Sequence, residues 1–373
     1  MNFEIKQSIL LNNLNYVIKG ISNKNIIPIL NCIKFELTND GLYMTSTDNE
    51  GAIKTFIPTD EIEKIDNLGE VVISGKYIYE IIRKLPNINV KIEEVIDNKI
   101  NISTTNSSFN LNCNNVNEFP ELNLDDSKTP ITMTRNEFKS IIKQTSFAAS
   151  LQENRPEFTG INFKIKNDLL ECTTTDSYRL AKRTVQIKEK LAEEVNIIVP
   201  SKNLIELERM IDDSDEIIEI HIFNNRIIFK FDNILMMSRL INGNYPDTNK
   251  LIPEVFESVL TVNLSEFFQA IDRASLLTTE FDKNTIKLHH EDNLVNIEST
   301  IPEIGHVEEK LNVESNNKEK FKVAFSSKYM LDALKSFEGK TIRFNYNGEE
   351  KPILITDPEN DNIIQLIVPV KTY

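Results

Sequence analysis

Three lysines at a constant spacing of 126 residues limit most strongly what this chain can fold into: Lys76, Lys202 and Lys328 each mark the same junction. The first copy reads Ser74-Gly75-Lys76-Tyr77-Ile78-Tyr79-Glu80-Ile81-Ile82-Arg83-Lys84-Leu85, the second Pro200-Ser201-Lys202-Asn203-Leu204-Ile205-Glu206-Leu207, and the third Ser326-Ser327-Lys328-Tyr329-Met330-Leu331-Asp332-Ala333-Leu334. Each follows a β-rich run, and the serines are suited to cap a helix that starts there. Apolar residues at i, i+3, i+4 and i+7 (Ile78, Ile81, Ile82, Leu85; Met330, Ala333, Leu334, Phe337) predict one buried helical face per copy. The middle copy keeps Leu204, Leu207 and Ile211 but carries Glu208 in the stripe. A second repeat opens each third of the chain: Phe3-Glu4-Ile5, Ile131-Thr132-Met133 and Leu260-Thr261-Val262 each lead into a further amphipathic segment.

A repeat of this length means three copies of one unit, and 373 residues exceed a single ordinary core. The expected order is strand, helix, then antiparallel strands, run six times, twice in each of three domains spanning 1–126, 127–251 and 252–373. The boundaries, at Asp125-Asp126-Ser127-Lys128 and Lys250-Leu251-Ile252-Pro253, are not Gly/Ser linkers, so the domains are expected to abut rigidly.

Several function classes are poorly supported. No apolar run approaches membrane-spanning length and the N-terminus lacks the pattern of a signal peptide, which predicts a cytoplasmic protein without membrane partners. Cys32, Cys113 and Cys172 are odd in number and without CxxC spacing, so small buried side chains are expected. Gly69 and Gly75-Lys76 imitate a phosphate loop, but five residues separate the glycines where four are needed, and Tyr77 replaces the metal-binding Ser or Thr. His221, His289, His290 and His306 show no metal-ligand spacing and read as solvated or edge-strand residues. Asp48 and Asp176 follow strands as turn residues do. With 10 glycines in the whole chain, nothing looks like a cofactor cradle; no cofactor, metal or catalytic residue is expected. A nuclease would need a carboxylate cluster for two metal ions, and none stands on motif spacing.

Charge distribution points elsewhere. With 42 basic and 57 acidic residues the chain carries −15, yet the six predicted helices together carry +6 and the remainder −21. That division suits helices that share a surface facing a polyanion while acidic strands and loops face away. Helices packed side by side lie about 8–10 Å apart, so a closed ring of six leaves a bore of only ~9 Å, whereas twelve leave ~28 Å, enough for duplex DNA. A ring around DNA therefore needs two chains. The same composition also suits a scaffold that binds proteins without DNA.

The C-terminal Gln365-Leu366-Ile367-Val368-Pro369-Val370-Lys371-Thr372-Tyr373, the segment Thr175-Asp176-Ser177-Tyr178-Arg179-Leu180, the run Asn244-Tyr245-Pro246-Asp247 and the early Ile27-Pro28-Ile29-Leu30 together resemble the family of bacterial sliding clamps, the beta subunits of DNA polymerase III. The resemblance covers the whole chain. It implies an α+β DNA clamp fold of three similar domains, each with two helices and antiparallel sheets, forming half of a closed ring. It further implies a head-to-tail homodimer that encircles double-stranded DNA without sequence preference. This non-catalytic processivity factor would tether the alpha subunit of DNA polymerase III, the clamp loader and other proteins carrying the clamp-binding motif, in the nucleoid region of the cytoplasm.

Carried over residue by residue, the resemblance places a hydrophobic peptide-binding cleft at Phe158, Thr175, Ser177, Tyr178, Arg179, Leu180, Pro246, Lys250 and Leu251, with Ser326, Tyr329, Pro352, Ile367, Val368, Pro369 and Val370 from the last third. Tyr178 stands where the family often has His, Lys250 where it often has Arg, and Val368 where it can have Met. For DNA it singles out Lys24 and Gln152, while Pro156 and Glu157 replace residues that can be aromatic in relatives. The helix-charge argument adds Lys76 and Lys202.

Overall fold

The computed structural model describes residues 1–22, 26–95 and 98–371. Among these, six α-helices each follow directly on a strand. Asn2–Lys6 leads into α1 (Gln7–Val17), Gly69–Ser74 into α2 (Gly75–Lys84) and Ile131–Thr134 into α3 (Arg135–Thr145). Val195–Pro200 leads into α4 (Ser201–Glu208), Ser258–Asn263 into α5 (Leu264–Ser275) and Phe321–Ser326 into α6 (Ser327–Leu334). The repeated junction is thus a strand that turns straight into a helix. In the middle copy α4 stops at Glu208, which places that residue, half-buried, at the helix end instead of in the apolar stripe.

The serine caps differ from expectation. Ser74 and Ser326 hold the N-cap positions of α2 and α6, but neither side chain bonds the helix backbone. Both are still strand rungs, paired with Cys32 and Thr285, so the pleat decides where their side chains point. A working cap occurs at α5, where Asn263 Oδ1 accepts from the Glu266 N–H at 3.0 Å. At Gly75 a Cβ would come within 2.3 Å of Ile21 Cδ1, so this glycine lets α2 seat closely and has no need of a phosphate to explain it.

The chain divides into two compact units, residues 1–135 with 206–240, and 136–205 with 241–373. All strand pairings described are antiparallel. The first unit carries a thirteen-stranded sheet. In it, strand Ile234–Arg239 pairs with Gly51–Pro58 (Ile234 opposite Thr55, Met237 opposite Ala52). The second carries a four-stranded and a nine-stranded sheet, the latter made continuous by Arg179–Gln186 pairing with Asn360–Ile367. The middle third of the sequence is therefore shared, one half extending the sheet of the first third and the other that of the last.

Helical stripes supply the cores. In the first unit α1 packs on α2, and Leu10, Leu14, Val17, Ile78 and Ile82 are fully buried. In the second α5 packs on α6, and Phe267, Ile271, Met330 and Leu334 share one core with Leu260, Phe325, Phe344 and Ile367. Each such side chain contributes about 1.5–3 kcal/mol by leaving water. Cys32 and Cys172 are buried and Cys113 half-buried; burial pushes the Cys113 thiol up to about 11, so none is poised as a nucleophile.

Two histidines depart from the sequence reading. His221 and His290 are buried, not solvated, because each ring meets a loop carbonyl: His221 Nδ1 lies 2.7 Å from the Lys128 oxygen and His290 Nδ1 3.1 Å from that of Glu319. His289 pairs with Glu298 at 2.7 Å. Among the described residues no group of three or more His, Cys, Asp or Glu could hold a metal ion, and no helix is long and apolar enough to cross a membrane.

Candidate functional site

The segment Thr175 to Leu180 is the turn of a hairpin between strands Leu169–Thr175 and Arg179–Gln186, and its own polar groups lock it. Thr175 Oγ1 donates to the Arg179 carbonyl at 2.6 Å and accepts from the Ser177 N–H at 3.1 Å. Asp176 Oδ1 accepts from the N–H groups of Tyr178 and Arg179 at 2.9 and 3.0 Å. Ser177 is thereby held at a φ of 78°, a left-handed conformation that L residues adopt at a cost of about 1–2 kcal/mol. The same turn stands 128 residues earlier: Asn49 has φ 72°, Thr47 Oγ1 donates to the Gly51 carbonyl at 2.6 Å, and Asp48 Oδ1 accepts from Glu50 and Gly51. Turn chemistry accounts for both aspartates.

Around this turn the second unit gathers most of the residues expected at the cleft. Leu180, Leu354 and Leu366 form a buried apolar cluster, with Ile252, Phe256, Ile364 and Val368 packed against it. The Val368 N–H donates to the Tyr178 carbonyl at 2.9 Å and that of Val370 to the Ala324 carbonyl at 2.7 Å, which fixes the C-terminal segment beside the turn. Ile367 pairs with both Arg179 and Ile353, bringing Pro352 to the neighbouring strand. From the other side, the Tyr245 hydroxyl accepts from the Thr175 N–H at 2.8 Å, and its ring meets Phe158 edge-on at 5.9 Å between centroids. Burial raises the Tyr245 phenol pKa far above its ordinary value, so this hydroxyl stays protonated.

Exposure separates floor from rim. Phe158, Thr175, Arg179, Leu180, Ser326 and Ile367 are buried; Tyr329, Pro352, Val368, Pro369 and Val370 are half-buried; Ser177, Tyr178, Pro246, Lys250 and Leu251 are exposed. Tyr178 and Leu251, at 60% and 54% exposure, are the large apolar side chains the rim offers to a partner. The Lys250 ammonium lies 3.9 Å from the Asp247 carboxylate. Sequence reasoning missed Tyr245, which supports the turn from below, and Asp332, whose Oδ2 accepts from Arg179 at 2.7 Å. Tyr245 stood inside a motif already singled out; Asp332 follows Tyr329 by three residues on α6, and that spacing was its only signal.

The DNA candidates lie on separate elements. Lys76 and Lys202 are exposed in the first turns of α2 and α4, and Gln152 is exposed in the loop before Pro156. Lys24 lies outside the described residues.

Comparison with known proteins agrees with this organisation. Three family models match in sequence: the DNA polymerase III beta subunit N-terminal domain over residues 1–124, its central domain over 132–247 and its C-terminal domain over 249–371. The beta sliding clamp of Bacillus subtilis is 39% identical over the full length of both chains. The chain belongs to the DNA polymerase III beta subunit family, the bacterial sliding clamps. The crystal structure of the Bacillus subtilis sliding clamp matches all of the chain with a TM-score of 0.97, and that of the Streptococcus pneumoniae beta chain matches all of it with 0.95 at 29% identity. The fold is the DNA clamp fold with three clamp domains. As a sliding clamp the protein is a processivity factor, an accessory subunit of DNA polymerase III that does no chemistry itself.

Proposed function

We propose that this sliding clamp receives its partners at the face built from the 175–180 turn, residues 245–251, the start of α6 and the segment 367–370. The observation that carries this reading is the exposed Tyr178 and Leu251 standing beside the buried Leu180, Leu354 and Leu366 cluster. A short linear motif that places a Leu or Phe there gains about 1.5–3 kcal/mol per anchor, which suits partners that exchange. The partners are the alpha subunit of DNA polymerase III, the clamp loader and other proteins with the same motif.

Two chains close head to tail into a ring around duplex DNA, with domains spanning 1–126, 127–251 and 252–373. The repeat spacing and the ranges of the three family matches support these boundaries. Lys76, Gln152 and Lys202, with Lys24 by resemblance, are the residues proposed to meet the DNA phosphates, and the ring works in the nucleoid region of the cytoplasm. The deciding experiment loads the protein onto nicked circular DNA with its cognate loader and ATP, then cuts the circle. Loss on linearisation at moderate salt is the expected result, since a ring leaves free ends and a charge-bound protein does not. For the cleft, a fluorescein-labelled peptide carrying the alpha-subunit motif is expected to bind the wild type and to be lost with Leu251→Glu.

A further inference from the structure

We propose that Asp332, a residue outside the cleft walls assigned above, positions the cleft by holding Arg179 against Tyr329; this rests on the cleft reading of the previous section. Arg179 is only 9% exposed, and its guanidinium is held by two carboxylates and two aromatic rings. Its Nε donates to Asp176 Oδ2 at 3.0 Å and a terminal nitrogen donates to Asp332 Oδ2 at 2.7 Å. Its central carbon lies 4.5 Å from the Tyr329 ring centroid and 5.5 Å from that of Phe147. Two of its three nitrogens are thus tied to carboxylates and its plane lies near two rings, so Arg179 supports the wall of the cleft.

Asp176 cannot set that support alone, because it belongs to the same turn as Arg179 and moves with it. Asp332 comes from α6, one helical turn beyond Tyr329, and residues three apart share a helix face. The helix therefore presents a carboxylate and an aromatic face together, a socket for a planar cation that bonds along its edge and stacks across its plane. Where Asp332 holds the guanidinium decides how Tyr329 stands relative to the turn that carries Tyr178. Lysine is a poor substitute for Arg179, since its ammonium lacks the planar fork that bonds along one edge and stacks across its face.

The test measures affinity of the fluorescein-labelled alpha-subunit motif peptide for full-length protein by anisotropy, beside the thermal unfolding midpoint. Asp332→Asn is expected to weaken peptide binding about tenfold, the loss of one partly desolvated cation–π contact, and Asp332→Glu to restore most of it. In the Tyr329→Ala background the Asp332→Asn change is expected to cost nothing further, because its effect passes through that ring; a merely structural role would give additive losses. Arg179→Lys is expected to repeat the pattern and serves if Asp332→Asn does not fold. Peptide affinity equal to wild type in Asp332→Asn, or additive losses in the double variant, overturns the proposal. Failure of the wild type to bind the peptide overturns the cleft reading itself and this inference with it.

Discussion

Thr175 and Thr47 make the same pair of hydrogen bonds in two turns 128 residues apart, donating to a carbonyl four residues on and accepting from an N–H two residues on. Valine has the same shape and neither bond, so Thr175→Val and Thr47→Val are each expected to lower stability by about 1–3 kcal/mol in denaturant unfolding. Only Thr175→Val is expected to weaken peptide binding, because only its turn carries Tyr178 and the carbonyl that holds Val368. Equal loss of affinity in both variants would mean that the effect is global. The twin turns were legible as strand ends followed by aspartate; their hydrogen bonds, and the positive φ of Ser177, come from closure of the hairpin.

Elements show how the repeat is stabilised copy by copy. Of the three helices whose capping residues are discussed above, α5 has the side-chain cap, and Asn263→Ala is expected to cost about 1 kcal/mol, read as a fall in the denaturation midpoint. A second case is the segment that leaves the first third. Asp126 accepts from Lys230 Nζ at 2.8 Å, Lys128 Nζ donates to the Ile222 carbonyl at 2.7 Å, and His221 meets the Lys128 carbonyl, so the segment is fastened to the strands of the first unit. The hydrogen bond from Lys230 holds the Asp126 carboxyl below its ordinary range. A carboxyl whose pKa is depressed on folding contributes stability above its unfolded pKa, about 3.9, and loses it as pH falls through the folded value. The stability gap between wild type and Lys230→Met is therefore expected to stay constant from about pH 7 to 5 and to narrow below about 4. A gap that ignores acid would show that this bond contributes nothing.

For the whole molecule, the relevant quantity is the positive charge of the helices against an acidic remainder. Lys76→Glu with Lys202→Glu is expected to slow loading onto DNA at low salt and to flatten the fall of loading with added salt, since steering by a basic surface is what salt screens and the variant has less of it to lose. Once loaded on a closed circle, the double variant is expected to be retained as well as wild type, because topology and not charge holds a ring. Rapid loss from the circle would indicate ordinary electrostatic binding. The same logic explains how an acidic protein can serve DNA: the charge that matters is local, and the acidic remainder keeps nonspecific contacts weak.

The lysine spacing, the i, i+3, i+4, i+7 stripes and the alternating strands determined by themselves that this chain is a threefold repeat of strand–helix junctions, since local periodicity alone decides which face of an element is apolar. Leu180, Val368 and Tyr178 stand in the short motifs through which the chain resembles its family. What only the tertiary structure decided is pairing between distant elements. The sharing of the middle third between two sheets, the burial of His221 and His290, the support of Thr175 by Tyr245 and the socket that Asp332 and Tyr329 make for Arg179 all join residues far apart in sequence. No local pattern encodes such contacts, because a strand edge, a ring nitrogen or a guanidinium accepts any partner of matching geometry, and packing of the folded chain selects which one arrives.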